Sequence, residues 1–140
     1  MDEKTLKRFA LSIVLSILTS FLAITFLQFS TSTHEGFHSL LLDLAGCHHT
    51  SYVNIVIGAT AFEEEICQLT DSQYIVIALA GPIGSFLLGY YLWWRKGAEN
   101  SYLRVFGMLL MIISAMPSLL PNLPGSDMYI AIQHGFNEKI

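Results

Sequence analysis

Five consecutive residues, His34-Glu35-Gly36-Phe37-His38, place two imidazoles four positions apart with a carboxylate between them. On a helix, positions i and i+4 share a face, so both rings can hold one Zn²⁺ while Glu35 lies beside the open coordination position as a general base. Two histidines are not a complete set, because a catalytic zinc takes three protein ligands and keeps its fourth position for water. Asp127 is the expected third ligand, being the one acidic residue between Asn100 and Glu138. His48 and His49 compete with it, and His134, Asp43 and the Glu63 to Glu65 run rank lower. Asp43 is also a candidate to accept the second ring N–H of a ligating imidazole. A bland alternative treats Ser32 and Glu35 as a Ser-x-x-Glu capping box that starts a second helix, the histidines merely lining an interface. That alternative explains neither histidine.

The elements that must carry these residues are apolar. Of 140 residues, 53% are hydrophobic and 13% charged, against about 25% charged in ordinary soluble domains. The 7 Lys and Arg against 11 Asp and Glu give a net charge of −4, and no basic face is available for nucleic acid. Three stretches lack any Asp, Glu, Lys, Arg or His: Phe9 to Thr33, Gln73 to Trp94 and Val105 to Ser126. Each reaches the roughly 20 helical residues that a hydrocarbon core requires. The expected architecture is therefore a mostly α membrane protein in a single domain, 1–140, with spans at about 9–33, 73–94 and 105–120. Lys4, Lys7 and Arg8 before the first span, and Arg95, Lys96 and Arg104 between the second and third, predict a multi-pass topology with a cytoplasmic amino terminus. The segment 34–71 and the segment after Leu120 then meet on the opposite side.

Between the first two spans a helix should end near Ala45, where Gly46-Cys47-His48-His49 reads as a break. Tyr52 to Phe62, rich in β-branched and aromatic residues, predicts a short strand or hairpin segment beside the end of the first helix. Its backbone, including Asn54 and Val56, must be paired or face a wet cavity. Gly81, Pro82, Ser85 and Gly89 mark a small-residue stripe for close helix packing in the second span, with Pro82 expected to kink it. Pro117, Pro121 and Pro124 predict an unwound segment after the third span, followed by a short re-entrant or interfacial helix at 128–138. Cys47 and Cys67 either bridge or remain two small unpaired side chains.

In order and rough spacing, His34-Glu35-Gly36-Phe37-His38, Leu79-Ala80-Gly81-Pro82-Ile83-Gly84-Ser85-Phe86 and Leu120-Pro121-Asn122-Leu123-Pro124-Gly125-Ser126-Asp127 resemble the three marks of the site-2 protease family of intramembrane zinc metalloproteases. The resemblance covers roughly Phe9 to Ile132. It implies His34 and His38 as zinc ligands, Glu35 as the base, Asp127 as the third ligand, and a strand after the zinc helix that pairs with an unwound substrate. The third mark departs from the family's Asn-x-x-Pro-x-x-Pro-x-Asp-Gly. Ser118 stands at the Asn position, one extra residue precedes Asp127, and Met128 stands where Gly is expected. Ser118 or the displaced Asn122 would then hold the scissile carbonyl.

The function expected is hydrolysis of peptide bonds in or near transmembrane segments of membrane-protein substrates, with one Zn²⁺ per chain and the lipid bilayer as surroundings. The alternative is a catalytically inactive relative that binds zinc or a membrane partner helix through the same groove. A bis-histidine haem protein is disfavoured, because two histidines on one face of one helix cannot flank a porphyrin.

Overall fold

The computed structural model describes residues 2–53, 58–62, 67–96, 98–115 and 126–135. It is mostly helical with one two-stranded sheet: α1 (Glu3–Leu44), β1 (His49–Val53), β2 (Gly58–Phe62), α2 (Asp71–Tyr91, continued by a π-helical turn Leu92–Lys96), α3 (Ser101–Ala115) and α4 (Asp127–Gln133). Two helices are long and apolar enough to cross a membrane, Glu3–Leu44 and Asp71–Arg95. The third expected span is represented by α3, which is shorter; 116–120, and with them the expected unwound segment up to 125, lie outside the described residues.

α1 is a single helix of 42 residues, ~63 Å long at 1.5 Å per residue. It runs unbroken through Ser32 and Glu35, so the capping-box alternative fails: Ser32 lies inside a helix rather than ahead of one. Glu3 to Thr25 is exposed on every side. Within it the Ser12, Thr19 and Thr25 hydroxyls donate back to the carbonyls of Arg8, Leu15 and Phe21. The helix stops where the sequence predicts. Gly46 takes φ 74°, its N–H donating to the Asp43 carbonyl and that of Cys47 to the Leu42 carbonyl at 3.0 and 2.9 Å. This is a Schellman ending, which needs the left-handed residue that glycine supplies without strain. Its apolar contact is Leu42 on Cys47, and Cys47 is bridged to Cys67 with the two Cα atoms 5.2 Å apart.

Of the strand or hairpin that Tyr52 to Phe62 predicts, the structure has the hairpin. β1 begins earlier, at His49, and pairs antiparallel with β2 in the register Ser51↔Thr60 and Val53↔Gly58. Asn54 and Val56 lie in 54–57, outside the described residues. The disulfide joins the ends of this hairpin segment beside the end of α1 and the start of α2, in an apolar cluster with Leu42, Leu69 and Ile77.

α2 starts at a reciprocal capping box between Thr70 and Gln73 and continues as helix through the buried Pro82, so the expected kink does not interrupt it. The small residues of α2 face two different neighbours. Gly81 and Gly84 admit side chains of α1, whereas Gly89 meets the backbone of α3. The α1 and α3 contact is aromatic, with Phe106 against Phe26 and Phe29 at ring distances of 5.0 and 5.3 Å. α4 packs on α2 through Ala131 and Ile130 against Ile75, Ala78 and Leu79. It falls within the expected 128–138 segment but starts at Asp127 and is shorter, with 136–140 outside the described residues.

The close approach at Gly89 is backbone to backbone: an added Cβ would lie 2.7 Å from the Gly107 carbonyl oxygen and 2.9 Å from the Met111 nitrogen, whereas one at Gly36 meets nothing within 4 Å. Gly89→Ala should therefore lower stability by about 1–3 kcal/mol, while Gly36→Ala should be neutral or stabilising by up to about 1 kcal/mol. Thermal unfolding of both variants in detergent checks the contrast.

Candidate metal centre

His34, Glu35 and His38 lie on successive turns of α1 and all three are buried, at 8%, 7% and 7% exposure. Burying two imidazoles and a carboxylate in an apolar bundle is costly unless each finds a partner. The first partner comes from α4. Ser126 caps that helix, its side chain accepting from the Tyr129 N–H at 3.2 Å, and Asp127 follows as the first helical residue. At the other end of α4, His134 pairs with Asp71 at 3.2 Å and stacks on Tyr74 with ring centroids 4.0 Å apart. Anchored so along the first half of α2, α4 carries Asp127 to the level of Gly81, opposite the two histidines.

The result is a compact triangle. His34 Nε2 lies 2.9 Å from Asp127 Oδ2, His38 Nε2 lies 3.3 Å from Asp127 Oδ1, and the two Nε2 atoms are 3.1 Å apart. For a tetrahedral ion with bonds of about 2.0–2.1 Å, neighbouring ligand atoms are about 3.3 Å apart. One ligand atom from each of the three residues lies within 4.8 Å of the others, close enough to share an ion, and the donor set of two imidazoles and one carboxylate is one that zinc accepts. Among the described residues this is the group of histidine, cysteine and carboxylate side chains able to share one ion. Asp127 lies outside the two long apolar helices. Burial pushes its carboxyl up, but the two imidazoles beside it outweigh burial and hold it well below the usual carboxylate range.

The space for the triangle is a missing side chain. A Cβ at Gly81 would collide with Nε2 of both His34 and His38, and one at Gly84 with the Phe37 ring. His38 Nδ1 donates to the Ile77 carbonyl at 2.7 Å, which fixes the tautomer that turns Nε2 towards the triangle. Asp43 does not do this work: it is exposed, and it faces His49 at 3.4 Å because the Schellman ending turns the chain back over it. Nδ1 of His34 is buried with no hydrogen-bond partner among the described residues.

Glu35 is not part of the triangle. It lies against β2, where Thr60 Oγ1 donates to Glu35 Oε2 at 2.7 Å and a Cβ at Gly58 would collide with the Glu35 side chain. A carboxylate beside the metal face but outside it is the arrangement a general base requires. His48 is exposed, His49 faces Asp43 and His134 faces Asp71, so none of the competing histidines reaches the triangle. Ser118, Asn122 and Glu63 to Glu65 lie outside the described residues. Pro82 and Ser85 are fully buried beside Gly81 and Gly84, and the Ser85 hydroxyl lacks a partner among the described residues. Sequence reasoning missed Thr60, Gly58, Gly84 and the Ile77 carbonyl. The single available signal was the pair of small residues Gly58 and Thr60, two apart and hence on one face of a strand.

Comparison of the chain with protein-family models, curated proteins and solved structures finds no match.

One zinc per chain is expected in wild type purified without chelators, with its loss in His38→Ala and in Asp127→Ala. Gly81→Val should lose it too, although no ligand is altered. Zinc retained in Asp127→Ala would remove Asp127 from the ligand set.

Proposed function

We propose that this chain is an intramembrane zinc metalloprotease, similar to the site-2 protease family, that hydrolyses peptide bonds in or near transmembrane segments of membrane-protein substrates. The observation that carries the reading is the triangle of His34, His38 and Asp127 with Glu35 beside it, in a bundle whose two long helices are apolar enough to cross a membrane. Gly81 marks the level of the triangle. It lies well inside the apolar run that starts at Gln73, about 12 Å along the helix, so with α2 spanning the bilayer the reaction takes place below the membrane surface. Lys4, Lys7 and Arg8 in the first turns of α1, Arg95 and Lys96 in the turn that ends α2, and Arg104 at the start of α3 orient the amino terminus to the cytoplasm in this reading.

Zinc held by His34, His38 and Asp127 would supply an acidified water and polarise the scissile carbonyl. Glu35 accepts the proton that the attacking water loses as its oxygen bonds to the carbonyl carbon. When the carbon–nitrogen bond breaks, the same proton passes from Glu35 to the leaving nitrogen. Asp127, ionised, balances charge at the centre, and the Ile77 carbonyl holds the His38 ring in place. A helical substrate keeps its carbonyls in its own hydrogen bonds, so cleavage requires local unwinding, and an exposed strand edge replaces the lost bonds. β1 occupies one edge of β2. The other edge of β2 is the docking edge in this reading, because Gly58 and Thr60 of that strand touch Glu35.

Glu35→Gln should retain one zinc per chain and lose cleavage of a reconstituted transmembrane substrate by at least about 10²-fold. Quantitative gel analysis of substrate in detergent or proteoliposomes measures it. Cleavage at the wild-type rate would remove Glu35 as the base.

A further inference from the structure

A ring of four side chains ties the hairpin to the helix that carries the base. Thr60 Oγ1 donates to Glu35 Oε2 at 2.7 Å, Thr60 Oγ1 and Ser51 Oγ are 3.1 Å apart, and Ser51 Oγ is hydrogen-bonded to Ser39 Oγ. The corners are set by two periodicities. Glu35 and Ser39 are i and i+4 on α1 and share a face, while Ser51 and Thr60 are direct partners in the β1–β2 register. The direction of every bond follows from the carboxylate, which as an anion only accepts. Thr60 spends its single proton on Glu35, so Ser51 donates to Thr60 and Ser39 donates to Ser51.

From this geometry we infer that Thr60 is the positioning residue for Glu35, with Ser51 and Ser39 completing a polar clamp that registers the hairpin on α1. The inference rests on the proteolytic reading above. A glutamate on a helix has several rotatable bonds and must be held in one rotamer to meet the attacking water. The structure holds it twice. The absent Cβ of Gly58 leaves a trough for the Glu35 side chain, and two residues along the same strand Thr60 takes one carboxylate oxygen, leaving the other for the proton of the water. The Cys47–Cys67 bridge closes the chain around this hairpin.

Thr60→Val keeps the shape and β-branching of the side chain and removes its donor; Thr60→Ser keeps the donor. In a cleavage assay Thr60→Val should lower kcat about 10- to 100-fold with KM and zinc content unchanged, and Thr60→Ser should stay within about threefold of wild type by keeping that hydrogen bond. Equal loss in both variants, or full activity in Thr60→Val, would overturn the inference. A double-mutant cycle of Thr60→Val with Glu35→Leu, which removes the acceptor, read by thermal unfolding, detects the contact without any turnover. A non-additive loss of Tm supports the clamp and additivity overturns it. Coupling in a wild-type protein that cleaves nothing would overturn the proteolytic reading, and the positioning role with it, while leaving the contact itself established.

Discussion

The architecture depends on one close approach, that of α1 to α2 at Gly81. Two imidazole rings occupy the volume where any other residue would place a Cβ, and a buried imidazole pair is tolerable only because partners are within reach at that same level. Asp127 lies on one side and the Ile77 carbonyl on the other. A larger residue at position 81 would push the helices apart and separate the nitrogens from both partners. The glycine thus acts as a recess in the wall of the centre, and the rest of the bundle is arranged to keep that recess shut.

Three devices of different character hold it shut. Packing of Ala131 and Ile130 on α2, with the His134 pairing to Asp71 and stacking on Tyr74, fixes α4 and with it the height of Asp127. The glycine contact of α2 with α3 fixes the opposite end of α2 through backbone shape alone. The hairpin is fastened covalently by the disulfide and by hydrogen bonds through Thr60 and Ser51. Asp127, His38 and Glu35 are thereby each given a polar partner that lies far away in sequence, as their burial requires.

α1 presents neighbouring residues to different partners. His34 and His38 point to α2 and α4, while Glu35, one position along, points to β2. A helix turns about 100° per residue, so neighbours in sequence face different partners. The triangle of His34, His38 and Asp127 forms without drawing Glu35 into it, and Glu35 is held by a strand that contributes nothing to the triangle.

Much of this was legible in the sequence because it is local. The His34 to His38 spacing, the end of α1 at Gly46, the apolar lengths of α1 and α2 and the choice of Asp127 all follow from periodicity, turn chemistry or ligand count. The pairing of Cys47 with Cys67 was an even choice until the chain ends were seen side by side. The sequence leaves strand and hairpin open over Tyr52 to Phe62, because alternation marks strands but not where they reverse. Asp43 is a candidate partner of a ligating imidazole by chemical type alone, whereas the partner of His38 Nδ1 is the Ile77 carbonyl, a group every residue carries and no sequence distinguishes. Thr60 was missed for a related reason: a hydroxyl becomes a partner of Glu35 only through strand register and the distance of β2 from α1. The sequence by itself determined which groups can bind a metal and move a proton, since those are properties of residue type and helical spacing. The tertiary structure decided which groups meet, since a contact between α1, β2, α2 and α4 depends on how four elements pack, and packing is set by all of them together.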